Sequence, residues 1–345
     1  MALVHPPNFP ETLRSPERLR KFFELGSKPE FQQTIQKANE RYTHWHRFRY
    51  LPIPNGLTHE EIWALLKLGR RANFKQAPFT DKQGSPFWYW IPDSLQRHLH
   101  DIDVWAGGNV VSEHPGPLPG KEQYIIRSLM DEAIASSQLE GAATTTKKAK
   151  ELLQTGRKPK DRSEQMILNN WETMQFIREN RKVNLSKELV IEIHQRITAD
   201  TLEHPEDSGR LRSNNEIVVE YKGETVHTPP DFKLLEERLK AFCEFANEDS
   251  QTKWIHPVIK AVMLHFWLAY DHPFTDGNGR TARALMYWYL LSRDYLLFEY
   301  LAISRYIQRS PGQYVHAYIH TETDENDLTY FLLYNLRAAK LACEE

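Results

Sequence analysis

The sequence predicts a mostly α-helical protein. Three observations carry that expectation: apolar residues recur at three- and four-residue steps, helix start signals precede those runs, and only one stretch of the C-terminal two thirds reads as strand. The chain has 345 residues, with 40% hydrophobic and 26% charged, and a soft prior of two units follows from its length. Ser15–Leu25, Thr58–Leu68 and Asp93–His100 read as helices in the first part. Between them lie turn-rich pieces at Leu51–Gly56 and Thr80–Pro86. Aromatics are dense here (Trp45, Phe48, Tyr50, Trp88, Tyr89, Trp90), and packing is their expected use. Residues 107–120, rich in glycine and proline, are expected to link an N-terminal helical region (1–106) to a second region (121–345).

The second region reads as a run of helices: Glu122–Glu140, Thr145–Leu153, Asp161–Glu179, Ser186–Thr198, Pro230–Asn247, His256–Asp271 and Thr281–Ser292. Glu216–Glu220 and Thr225–Thr228, joined by a Gly223-containing turn, read as a hairpin. His256 and His265 fall within helical patterns and are expected to pack. The basic run Lys147, Lys148, Lys150, Arg157, Lys158, Lys160 and Arg162 is expected to be a solvated helix end and loop.

Bulk properties narrow the function. Forty-four basic against forty-six acidic residues leave a net charge of −2, which gives no general affinity for nucleic acid or membrane. No signal-peptide pattern and no bilayer-length apolar run are visible, so a cytoplasmic location is expected. Cys243 and Cys343 are too few for a disulfide framework or a metal cluster.

The chemistry concentrates in His272–Arg283, HPFTDGNGRTAR, between two strongly apolar helices. Glycines let successive backbone N–H groups turn toward one point, and the helix that follows adds its unpaired N–H groups and positive dipole end. Arg280 and Arg283, three apart, can share the face toward an anion, which their planar forks bind bidentately. Asp276 could anchor a hard cation such as Mg²⁺, and His272 could accept a hydroxyl proton near neutral pH. A calcium loop is excluded, because Thr281 and Tyr287 stand where glycine and glutamate would be needed. These are the parts for transfer of a phosphorus group.

At this stretch the sequence resembles the Fic-domain proteins, whose signature His-x-Phe-x-Asp/Glu-Gly-Asn-Gly-Arg-x-x-Arg it matches at every fixed position; the resemblance spans about residues 121–336. It implies a Fic-type helical bundle with a β-hairpin flap, and transfer of AMP from ATP, with Mg²⁺, to a Tyr, Thr or Ser hydroxyl of a target protein held as an added strand at the flap. His272 would be the base and Asp276 the Mg²⁺ ligand. Gly277, Asn278 and Gly279 would form an anion hole, and Arg280 and Arg283 would neutralise the outer phosphates, with Thr281 also counted at the nucleotide. Phe274 would brace the loop. His227 on the flap and Tyr314 near the adenine are further implied contacts. Gly279 stands where the family's kinase-like branch has lysine, which favours AMP transfer. Ser136–Gly141, SSQLEG, resembles the family's inhibitory motif on a preceding helix, so Glu140 would pair with Arg283, with Ser136 on the same face. Removal of AMP, or nucleotide holding without turnover, are the alternative functions.

Overall fold

The computed structural model describes residues 3–8, 10–106, 121–249 and 254–344. The expected link at 107–120 lies outside the described residues. The start signals read from the sequence act as caps. Ser15, Thr58, Thr145, Asp161 and Ser186 each accept a bond from a backbone N–H in the first turn of α1 (Pro16–Gly26), α4 (His59–Arg71), α7 (Thr146–Thr155), α8 (Arg162–Glu179) and α9 (Lys187–Thr198). Thr58 and Glu61 complete a reciprocal capping box. Two helices not read from the sequence, α2 (Pro29–Glu40) and α3 (Trp45–Phe48), lie between α1 and α4. The helices α5 (Asp93–Ala106), α6 (Lys121–Leu139), α10 (Leu235–Asn247), α11 (Pro257–Asp271) and α12 (Asn278–Ser292) follow. Beyond them come α13 (Ile303–Arg309), α14 (Pro311–Thr323) and α15 (Thr329–Glu344).

The architecture is mostly α, as expected, but the described residues contain two hairpins rather than one. β1 (Lys75–Thr80) and β2 (Pro86–Tyr89) pair antiparallel around the turn-rich piece at 80–86. Their inward residues Ala77, Phe79, Phe87 and Tyr89 alternate along the strands and are buried. Phe79 stacks on Trp267 at 4.8 Å, and Phe87 meets Phe266 edge-on at 5.2 Å. The second hairpin pairs β3 (Val219–Tyr221) with β4 (Glu224–His227). Its turn, Lys222-Gly223, has φ of 54° and 79°, the two positive values a tight hairpin turn of matching twist requires.

The centre of the molecule is α11 and α12, buried almost all round. The largest buried cluster runs from Ala77 to Ala342, so β1, β2 and α5 share the core of the C-terminal helices. A separate apolar cluster spans Leu13 to Leu66. Buried polar links join the two: Arg70 donates to Tyr330 Oη at 2.8 Å, Tyr42 to Asp327 at 2.8 Å, and Lys67 lies 2.9 Å from Asp324. No helix among the described residues is long and apolar enough to cross a membrane.

Candidate active site

The six-residue connection between α11 and α12 presents the candidate chemistry. His272 ends α11 in the left-handed region, φ 46°, a conformation uncommon for a residue with a Cβ. Its amide is satisfied by Leu268 O at 3.0 Å. Its carbonyl accepts from Arg212 Nε at 2.9 Å, and Arg212 N donates to Pro273 O at 2.9 Å. The buried Arg212 guanidinium also reaches Asn214 O, Asn215 Oδ1 and Pro230 O, so one side chain ties the loop to both ends of the β3–β4 hairpin.

The His272 ring donates Nδ1–H to Ala269 O at 3.2 Å, which leaves Nε2 with its lone pair. Burial lowers its pKa to about 4, so the ring is neutral at neutral pH. Phe274 is fully buried and stacks on His194 at 3.7 Å with planes 6° apart. His194 accepts from Gly209 N at Nδ1 (3.1 Å), which fixes its proton on Nε2 for donation to Asp276 O at 2.9 Å. Burial lowers its pKa to about 4, consistent with that neutral tautomer. His194 supports the loop from α9 and was not legible beforehand; within its helix it is one more half-apolar position.

Gly277, φ 82°, starts α12, which therefore begins three residues before the Thr281 start expected from the sequence. A Cβ at 277 would collide with Thr198 Cγ2, so glycine is required twice over. Asn278 turns inward: its side chain accepts from Phe274 N at 2.9 Å and donates to Phe274 O at 2.8 Å. It therefore braces the loop, and only its backbone can belong to an anion hole. Thr281 is likewise fully buried, its hydroxyl donating to Gly277 O at 2.9 Å, so its side chain stabilises the first turn rather than facing a nucleotide.

The arginines differ in their circumstances. Arg280 is fully buried and donates Nη1–H to Ile197 O at 3.1 Å. Its Nε and Nη2 have no hydrogen-bond acceptor, and the Asp276 carboxylate stands 3.6 Å from Nη2. Burial lowers its pKa. Unpaired buried donors are costly, and an anion beside them would satisfy both. Arg283, also buried, is fully engaged: Nε donates to Ser136 Oγ at 2.8 Å, and Nη2 to Ser136 O at 3.0 Å and Glu140 Oε1 at 2.8 Å. Burial alone would lower its pKa, but the charge and hydrogen bond of Glu140, with Tyr314 and Glu132 nearby, together outweigh it and the value rises. Glu140 follows the last turn of α6, and Gly141 at φ 93° closes that turn. The pairing expected from the resemblance is thus present in the geometry.

Asp276 is half-exposed at the mouth of the loop. It accepts from Gly277 N through Oδ1 and from Arg162 Nη2 at 3.1 Å through Oδ2. Arg162 therefore reaches the site, whereas the basic run that contains it was expected to be simply solvated. Arg157 of the same run is likewise paired, with Glu164. Two expected nucleotide contacts already have hydrogen-bond partners inside the protein. His227 is buried, with Nδ1 2.8 Å from Glu322 Oε2 and Nε2 2.7 Å from Tyr270 O, so both nitrogens are used inside the protein. Tyr314 Oη lies 2.7 Å from His265 Nε2 and 3.0 Å from Tyr318 Oη, in an aromatic layer under Arg283. His265 packs as expected. His256 instead caps α11 and pairs with Asp103 at 2.8 Å.

This fold and loop define a helical protein whose α11–α12 connection leads into two buried arginines, one of them paired with the carboxylate of Glu140 at the end of α6. Residues 184–290 match the Fic/DOC family. It is 41% identical over 98 residues to a protein adenylyltransferase Fic of Nematostella vectensis, an alignment covering 28% of this chain and 21% of that protein. It is 35% identical over 97 residues to protein adenylyltransferase fic-1 of Caenorhabditis elegans, covering 28% and 17%. The matched region thus spans about a fifth of those relatives' length. Among solved structures, a Fic family protein from Desulfovibrio desulfuricans G20 superposes with a TM-score of 0.62 at 19% identity, covering 78% of this chain and 76% of that one. A variant of Fic-1 from C. elegans gives 0.63 at 18% identity, covering 94% and 85%. Both share the fold.

Proposed function

We propose that this protein is an adenylyltransferase that moves AMP from ATP to a hydroxyl side chain of a target protein, and that Glu140 holds it in an inhibited state. The observation that carries the reading is the contrast between the two loop arginines: Arg280 is buried with unsatisfied donors beside the amides of residues 277–279, while Arg283 is occupied by Glu140. A triphosphate in the loop would satisfy the first and must displace the carboxylate from the second. His272 Nε2 takes the proton of the target hydroxyl, whose oxygen attacks the α-phosphorus as pyrophosphate leaves. Asp276 suits Mg²⁺ as a single half-exposed carboxylate that would lie next to phosphate oxygens, and the ion would offset their charge. The target's backbone adds to the edge of the β3–β4 hairpin, which Arg212 fixes relative to His272.

Incorporation of labelled AMP into protein in a host lysate, by wild type, Glu140→Gly and Glu140→Gly/His272→Ala, tests both halves. A gain in the single variant and its loss in the double variant are expected. Equal labelling by wild type and Glu140→Gly would remove the inhibition, and labelling by the double variant would remove His272 as base. Because Glu140 lies over the loop, it could also position a water for AMP removal. Offering pre-modified target protein and measuring AMP release separates that reading.

A further inference from the structure

Away from the loop, imidazoles from two parts of the chain converge. His44 precedes α3 and His46 lies in its only turn, while His320 sits on α14 one turn after His316. One ligand nitrogen from each of His44, His46 and His320 lies within 4.8 Å of the others. His44 Nδ1 and His46 Nδ1 are 3.3 Å apart. Two nitrogens each bound ~2.0–2.1 Å from one tetrahedral ion sit roughly that far apart. The His316 ring stands beside them, with centroids 5.9 Å from His46 and 5.7 Å from His320. We propose that His44, His46 and His320, with His316 in reach as a fourth ligand, form a site for a borderline divalent transition ion of the zinc or nickel type.

The competing account is a cluster of histidines that merely pack. The His44 and His320 rings do stack, 4.0 Å apart and 12° from parallel, so their in-plane lone pairs run side by side. One ring, that of His320, must turn about its Cβ–Cγ bond to bring three nitrogens onto an ion. Two observations favour the ligand role. One nitrogen from each of the three rings lies within 4.8 Å of the other two, and the only bond on His44 Nδ1 that an ion must replace besides the His46 ring is a long one, 3.3 Å from His46 N. The nearest buried cations are already engaged, Lys67 with Asp324 at 2.9 Å, and Arg70 in bonds to Asn39, Tyr330 and Thr43 O.

The ligand set determines the ion class. With imidazoles and no carboxylate in the cluster, the site does not suit Mg²⁺ or Ca²⁺ and does suit zinc, nickel or copper. The site would pin the 13–66 core to α14, the helix that also carries Glu322 against His227 and His316 against Tyr221 of the β3–β4 hairpin.

The test uses the full chain, produced without a histidine tag and stripped with chelator. Titration with Zn²⁺ by calorimetry is expected to show one ion per chain, and the thermal midpoint is expected to rise with zinc concentration. His46→Gln, at a half-buried ring, and His320→Gln should each stay folded by circular dichroism. Each should lose at least the roughly 10- to 100-fold in zinc affinity that follows removal of a group supporting a metal. Absence of a one-to-one isotherm, or a zinc affinity unchanged in both folded variants, would overturn the site. AMP labelling by Glu140→Gly reads the proposed catalysis separately, so neither result substitutes for the other.

Discussion

Glu140 rests its carboxylate against Cα of Gly279, filling the space that a side chain at 279 would need. Gly279 lies within α12 and is not in the left-handed region, so no backbone conformation explains the glycine. Its lack of a Cβ is what lets the Glu140 carboxylate approach and reach Arg283.

Gly279→Ala should therefore dislodge Glu140, because the group it meets is the movable end of a side chain. An alanine could also crowd a phosphate, so a double-mutant cycle on ATP affinity separates the two effects. If the Cβ acts through Glu140, Gly279→Ala and Glu140→Gly should couple by about 1 kcal/mol or more, the range for residues in contact. Additive changes would show that the two residues act independently.

Glu140→Gly should itself tighten ATP binding. The Arg283–Glu140 contact is a charge-assisted bond at a buried guanidinium, and such bonds are worth roughly 1.5–3 kcal/mol. A nucleotide that must break it forfeits much of that, so removing Glu140 should strengthen binding about tenfold or more, read by calorimetry. An unchanged affinity would mean that the phosphates do not compete for Arg283.

Arg162→Ala should have a smaller effect in the same direction on Mg²⁺. The Arg162–Asp276 pair is 3.1 Å long, but its side chains are 61% and 44% exposed. Exposed pairs contribute about 0–1 kcal/mol, so the variant should bind Mg²⁺ in the presence of ATP no more than about fivefold tighter. A large weakening would instead assign Arg162 to the phosphates.

Arg212→Lys should damage the protein more than its similarity suggests. The guanidinium serves four backbone or side-chain oxygens at once, including the carbonyl of the strained His272, and an ammonium cannot reproduce that fork. Leaving buried carbonyls unsatisfied should cost roughly 2–3 kcal/mol in urea unfolding, and AMP transfer in a Glu140→Gly background should fall with it.

What the sequence disclosed follows chain locality. The loop was legible because base, glycines and arginines stand in one run between apolar helices, and Glu140 because its motif is equally short. His194, Arg212 and Arg162 are 60 to 114 residues from the loop atoms they hold, a relation that periodicity does not encode. The β1–β2 hairpin escaped notice because its strands are short, one contains Pro78, and their inward residues alternate only over Ala77-Phe79 and Phe87-Tyr89. Its neighbours in the core, Phe266 and Trp267, lie about 180 residues later and could not be paired with it by inspection. The inward turn of Asn278 was hidden for another reason: a polar residue in a phosphate loop can serve ligand or backbone with the same sequence.

Fully buried His194 and partly buried His272 set a pH response with a definite sign. Burial lowers His194 and His272 to about 4, against ~6.5 in an unfolded chain. Between those values the unfolded state binds more protons than the folded one, so stability falls as pH drops from about 6.5 toward 4. For fully buried His194 the loss between pH 7 and pH 5 should be about 2 kcal/mol. His194→Gln keeps a side-chain N–H for Asp276 O but does not titrate, so it should show that much less change between the two pH values in urea midpoints. The same shift governs catalysis. The lone pair on His272 Nε2 should survive to well below pH 6.5, so kcat/KM of Glu140→Gly should hold nearly level from pH 7.5 down to 5.5. An acid limb centred near 6.5 would mean that the free enzyme's essential base is an exposed imidazole and not His272.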